Sequence, residues 1–137
     1  MIQRKQTLWL LLVSVCGFLG FKLPFYSGTL GVENSHKLMA TQNFLLIILT
    51  SIVALLALVI IFLYKQRVLQ LRLCVLGIVL ELLLIFLYYR ETREFVAGTG
   101  TFALSAVLQL GVLFFYFLAA RDINRDEKMV KDSDRLR

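Results

Sequence analysis

The stretch FLLIILTSIVALLALVIIFLYKQRVLQLRLCVLGIVLELLLIFLYY, residues 44–89, decides the fold. Two apolar runs, 44–63 and 73–89, flank a basic link, Lys65-Gln-Arg-Val-Leu-Gln-Leu-Arg72. The first run has no charged residue, and its polar interruptions are Thr50 and Ser51, whose hydroxyls can bond back to the preceding helical turn. About 20 residues rising about 1.5 Å each cover a hydrocarbon layer of about 30 Å. Backbone N–H and C=O groups in lipid must satisfy one another, so each run is expected to be helical. The apolar residues cover every face rather than one stripe, as suits a helix surrounded by lipid. A short link between two such runs makes them an antiparallel hairpin.

Composition agrees. The chain has 137 residues, 59% of them hydrophobic, and a single proline. Charged residues make up 18%, against about 25% in soluble domains, and they are bunched. Cys16 and Cys74 both fall inside apolar runs, so they form neither a disulfide framework nor a CxxC pair. The net charge of +6 is read through its placement along the chain.

Outward from the hairpin, the spacing predicts spans at about 7–23, 43–64, 73–89 and 101–120, and a charged tail at 121–137. Trp9, Tyr64 and the pair Tyr88-Tyr89 are expected at headgroup level, where amphipathic rings settle. Val13-Ser-Val-Cys16 loosely resembles a lipoprotein cleavage box. The valine before the cysteine and the apolar residues after it favour a retained helix. Pro24 suits a helix end. Residues 25–42 are expected to form the longest loop, with Gly28, Gly31, Asn34 and Ser35 as turn formers. His36, the single histidine, sits there without the partners that a metal site needs. The sequence Arg90-Glu-Thr-Arg-Glu94 reads as a polar turn, and Gly98-Thr-Gly100 as a break before the last span.

Four spans put both termini on one side with the link. That side holds Arg4, Lys5, Lys65, Arg67, Arg72, Arg121, Arg125, Lys128, Lys131, Arg135 and Arg137; the other holds Lys22, Lys37, Arg90 and Arg93. Eleven bases against four place head, link and tail in the cytoplasm.

Met1-Ile-Gln-Arg before a leucine-rich span, Ile61-Phe-Leu-Tyr-Lys65, Leu69-Gln-Leu-Arg-Leu-Cys74, Arg125-Asp-Glu-Lys-Met-Val-Lys131 and Ser133-Asp-Arg-Leu-Arg137 together resemble the domain of unknown function (DUF) 4293 family. The resemblance reaches from one end of the chain to the other. It implies a small four-helix protein of the bacterial inner membrane, in Bacteroidetes, and implies no activity.

Glu81 is the most informative single residue. It lies midway along its span, where a carboxylate costs about 2.5–3.5 kcal/mol on insertion scales. No base lies at that depth, so the neutral acid is the favoured form. Helical spacing puts Cys74, Gly77, Ile78, Ile85 and Tyr88 on its face, and Gly77 would let another helix come close. Depth counting brings Ser14, Cys16, Thr50, Ser51 and Gln109 to a similar level. Glu81, Gln109 and Ser51 are therefore the intramembrane polar candidates. Glu81 is expected to face the bundle interior and to bond Gln109 or a hydroxyl, either as glue between helices or as a proton or cation site.

In the tail, Arg121, Arg125, Lys128, Lys131 and Arg135 fall on one helical stripe, while Ile123, Met129, Val130 and Leu136 form an apolar wedge. Glu127–Lys131 is a favourable i,i+4 pair, and Asp122–Arg125 and Asp132–Arg135 are i,i+3 pairs. The stripe can rest on anionic headgroups, and the wedge can dock on a partner. Nucleic acid is disfavoured, because acids nearly match the bases and no aromatic is interleaved. No nucleophile–base pair, metal spacing or phosphate-cradling glycine loop is present, so neither catalysis nor a cofactor is expected. The reading is an all-α bundle of four transmembrane helices with a helical tail. Its function is that of an accessory or scaffold subunit, with tail and link as the contact surface. The alternative is a small oligomeric transporter or channel using Glu81.

Overall fold

Asn43 opens the first helix of the central hairpin, its side chain accepting from the Leu45 amide at 3.4 Å. The computed structural model describes residues 2–29, 35–38, 41, 43–93 and 100–136. Its helices are α1 (Ile2–Leu19), α2 (Phe44–Phe62), α3 (Arg67–Thr92) and α4 (Leu104–Arg135). They pack in a ring, each against its sequence neighbours, with α4 closing back on α1. The hairpin turn is shorter than expected, because α3 begins at Arg67 and takes in most of the basic link. Nothing from Arg67 to Arg72 breaks a helix. The Gln70 amide also donates to the Ile60 carbonyl at 3.1 Å, bonding an end of α2 to the first turns of α3.

α2, α3 and α4 are long and apolar enough to cross a membrane, and α1 contributes a shorter apolar stretch, Lys5–Leu19. Backbone bonds from Phe21, Lys22 and Leu23 to Phe18 and Leu19 carry turns beyond α1 as far as Leu23. Large apolar residues such as Phe86, Leu110, Phe114 and Phe117 face outward. So much exposed hydrocarbon suits lipid, not water. This is an all-α membrane bundle.

Other segments also depart from the sequence expectation. α3 runs on to Thr92, so the first three residues of the expected polar turn at 90–94 are helical. The region expected as a loop contains strands β1 (Tyr26–Thr29) and β2 (Ser35–Leu38), and β3 (Thr101–Phe102) joins them in an antiparallel sheet of order β2-β1-β3. Strands this short give little alternation to read. Because Thr101 and Phe102 pair with Ser27 and Tyr26, α4 starts at Leu104 rather than 101. Gly100 lets the Tyr26 ring sit directly on the backbone there, where a Cβ would lie 2.0 Å from the tyrosine oxygen. Met1, Gly31, Asn34, Glu94, Gly98, Thr99 and Arg137 lie outside the described residues. The sheet covers the end of the bundle opposite the two termini. α4 also runs unbroken from the apolar span through the tail to Arg135.

Close approaches fix the interior. At Gly17 an added Cβ would stand 2.9 Å from the Ala54 Cβ, so α1 and α2 meet through small residues. At Gly77 it would stand 2.7 Å from the Tyr116 ring of α4. The Tyr116 hydroxyl then donates to the Val53 carbonyl of α2 at 2.7 Å. One buried side chain therefore touches α3 and α2 from α4. A second apolar cluster, around Phe25, Leu46, Leu84 and Tyr88, closes the sheet end.

Candidate functional site: a polar bundle centre and a docked tail

Every helix supplies a buried polar side chain to the interior. Ser14 comes from α1, Thr50 from α2, Glu81 from α3, and Ser105 and Gln109 from α4. Glu81 is 1% exposed, on the buried face of α3 with Cys74, Gly77, Leu84 and Tyr88. That face comes from spacing alone, since residues three, four and seven apart stack on one side of a helix. Glu81 lies within electrostatic reach of the Tyr88 and Tyr116 hydroxyls. Its Oε1 makes no protein hydrogen bond, and neither do the Thr50, Tyr88 and Ser105 hydroxyl oxygens. The Thr50 and Tyr88 hydroxyls lie near one another, outside hydrogen-bond geometry. Gln109 is buried beside α1, its amide nitrogen close to Gly20. No Gln109 bond satisfies Glu81 Oε1. Ser51 is not drawn into this group, because its hydroxyl donates to the Ile47 carbonyl of its own helix at 2.7 Å.

Tyr88 also sits differently from the belt position expected of it. Tyr88 is fully buried, stacked on Phe25 with ring centroids 4.2 Å apart, while Tyr89 faces out. Pro24 ends the turns after α1, and Phe25 then packs into the bundle beneath the sheet. Trp9 is half-buried against Phe115, and its indole N–H donates to Asp122 at 3.1 Å.

That bond begins a second polar cluster, at the end carrying the termini. The Gln6 amide of α1 donates to the Asp126 carboxylate, and Arg67 of α3 reaches the Asp126 carbonyl at 3.5 Å. Ile123 is fully buried between these two acids. The first turns of the tail are thus fastened to α1 and α3. Glu127 pairs with Lys131 at 2.9 Å. Arg121, Arg125, Lys128, Lys131 and Arg135 remain exposed. Sequence periodicity located the stripe of bases but not the inward role of the acids, which read equally well as partners within the tail.

Burial pushes the Asp126 carboxyl up from its ordinary 3.8, with Asp122 adding to the rise while Arg67, Gln6 and Arg125 oppose it. A raised value in the folded state means that the docked tail binds more protons than the released one. Its contribution is full below the ordinary value and is lost as pH rises through the raised one. Tail docking should therefore weaken with rising pH across that window, and Asp126→Asn should keep docking while flattening the dependence. Emission from Trp9, the single tryptophan, reads this directly.

A family model described as domain of unknown function (DUF4293) matches residues 2–136. The chain belongs to this family. No curated protein and no solved structure matches the chain. Among the described residues of this DUF4293 member, no group of three or more His, Cys, Asp or Glu side chains is placed to hold a metal ion.

Proposed function

We propose that this DUF4293 protein is a non-catalytic accessory or scaffold subunit of a membrane assembly. It sits in the bacterial inner membrane with both termini cytoplasmic, on the strength of the eleven-to-four division of bases. The observation carrying the proposal is the sorting of charge on the tail. Asp122 and Asp126 turn inward to bond Trp9 and Gln6, while five bases stay in solvent. A tail that only needed solubility gains nothing from fastening Asp122 and Asp126, two of its five acids, to the bundle. A rigid basic face held at fixed height suits an acidic partner surface.

The test is native mass after gentle extraction, with identification of what co-purifies. The full chain is expected to carry a stoichiometric protein. Changing Arg121, Arg125, Lys128, Lys131 and Arg135 together to Gln should release it while Trp9 emission stays unchanged. A clean homo-oligomer without a partner would overturn the proposal.

One observation favours transport as a second reading: Glu81, Thr50, Tyr88 and Ser105 leave polar atoms unpaired in the interior. Such a group could pass a proton or bind a cation. In that reading Glu81→Gln abolishes transport; in the scaffold reading it is tolerated.

A further inference from the structure

Where the hairpin turns, Tyr64, Lys65, Gln66, Arg67, Val68, Leu69 and Arg72 surround an open cavity of about 760 Å³, with Val130 of the tail as its far wall. Three of these residues are cations and none is an acid. Lys65 lies over the Tyr64 ring, 5.9 Å from its centroid. Arg67 spends one nitrogen on the Asp126 carbonyl. Lys65 and Arg72 make no ion pair among the described residues. The first turn of α3 begins here with no acidic residue and no side-chain cap. Every charged side chain lining the cavity is therefore positive.

We propose that this cavity binds the phosphate of an anionic phospholipid. The shared chemistry is a phosphate group, and the surroundings choose its source. Phe62, Val68 and Leu69, beside or in the cavity, are large, apolar and exposed, Phe62 at 80%. Residues of this kind at the end of a spanning helix lie against acyl chains, so the cations stand at headgroup depth. A free phosphate would use the cations and leave the apolar wall idle. A phospholipid uses both. Arg67 and Arg72 present planar donor forks suited to phosphate oxygens, and Lys65 adds a point charge. The site is independent of the partner proposed for the tail, whose five exposed bases do not line it.

The experiment is native mass spectrometry of the full chain, released from detergent in the presence of phosphatidylglycerol, phosphatidylcholine or inorganic phosphate. Phosphatidylglycerol should be retained at least tenfold more than phosphatidylcholine. Lys65→Gln/Arg67→Gln/Arg72→Gln should remove that preference. Lys65→Gln/Arg72→Gln, which leaves the Arg67 bond to Asp126 in place, should remove most of it with an unchanged melting temperature. The five-base tail variant should keep it. Equal retention of both lipids by the unmodified chain would overturn the proposal, as would a preference that survives both link variants. Displacement of the lipid by millimolar inorganic phosphate would assign the site to a free anion instead.

Discussion

Tyr116→Ala is expected to destabilise the bundle by about 3–5 kcal/mol, the usual range for removing a large buried ring. Tyr116 is fully buried, so the change opens a cavity in the larger apolar cluster, among Val53, Cys74 and Val112. It also removes two contacts that a leucine elsewhere in the span would not make. One is the ring on Gly77, which lets α3 and α4 come together; the other is the hydroxyl bond to the Val53 carbonyl. Lipid adds no hydrophobic drive between helices, so packing of this kind carries much of their association. Tyr116→Phe keeps the ring and loses only the bond, for about 0.5–1.5 kcal/mol. Denaturant unfolding in mixed micelles, followed by Trp9 emission, separates the two variants. Equal losses would show that the hydroxyl, not the ring, holds the helices.

Legibility divides by the length of the pattern. The apolar runs are long and lack a period, so their helices and their solvent could be read from composition. The buried face of α3 could be read too, because Cys74, Gly77, Glu81 and Tyr88 keep helical spacing. What could not be read depended on contacts far apart in the chain. Thr101 and Phe102 resemble the start of a span until Ser27 and Tyr26 pair with them. Tyr88 has the chemistry of a belt residue, and only the position of Phe25 turns it inward. Asp126 has no local signal, since Gln6 lies at the opposite end of the sequence. Thr50 and Ser51 show the limit most plainly. They are adjacent and chemically alike, yet one faces the polar centre and the other bonds its own helix. A helix turns about 100° per residue, so composition cannot choose between neighbours when the apolar residues show no preferred face.

The Glu81 series has the largest spread of expected outcomes, because a single position separates charge from shape. Glu81→Lys should destabilise the bundle by at least about 2.5–3.5 kcal/mol, the cost of a cation at mid-membrane depth. No carboxylate among the described residues can pair with it there, since Glu91 sits near the sheet end and Asp122 and Asp126 are bound at the other. Glu81→Gln should change stability by less than about 1.5 kcal/mol, because volume is kept and, with no base at that depth, the acid it replaces is expected to be neutral. The amide also brings a second donor to an interior that holds an unpaired Tyr88 hydroxyl within electrostatic reach. The comparison depends on the protonation state of the native residue. If Glu81 were ionised, Gln would remove a charge that the site had been built to hold, and unfolding would show a loss approaching that of Lys. A small loss for Gln with a large one for Lys would establish a neutral acid that joins helices. A large loss for both would mean that the centre holds a cation against Glu81, and the balance would move from scaffold to transport.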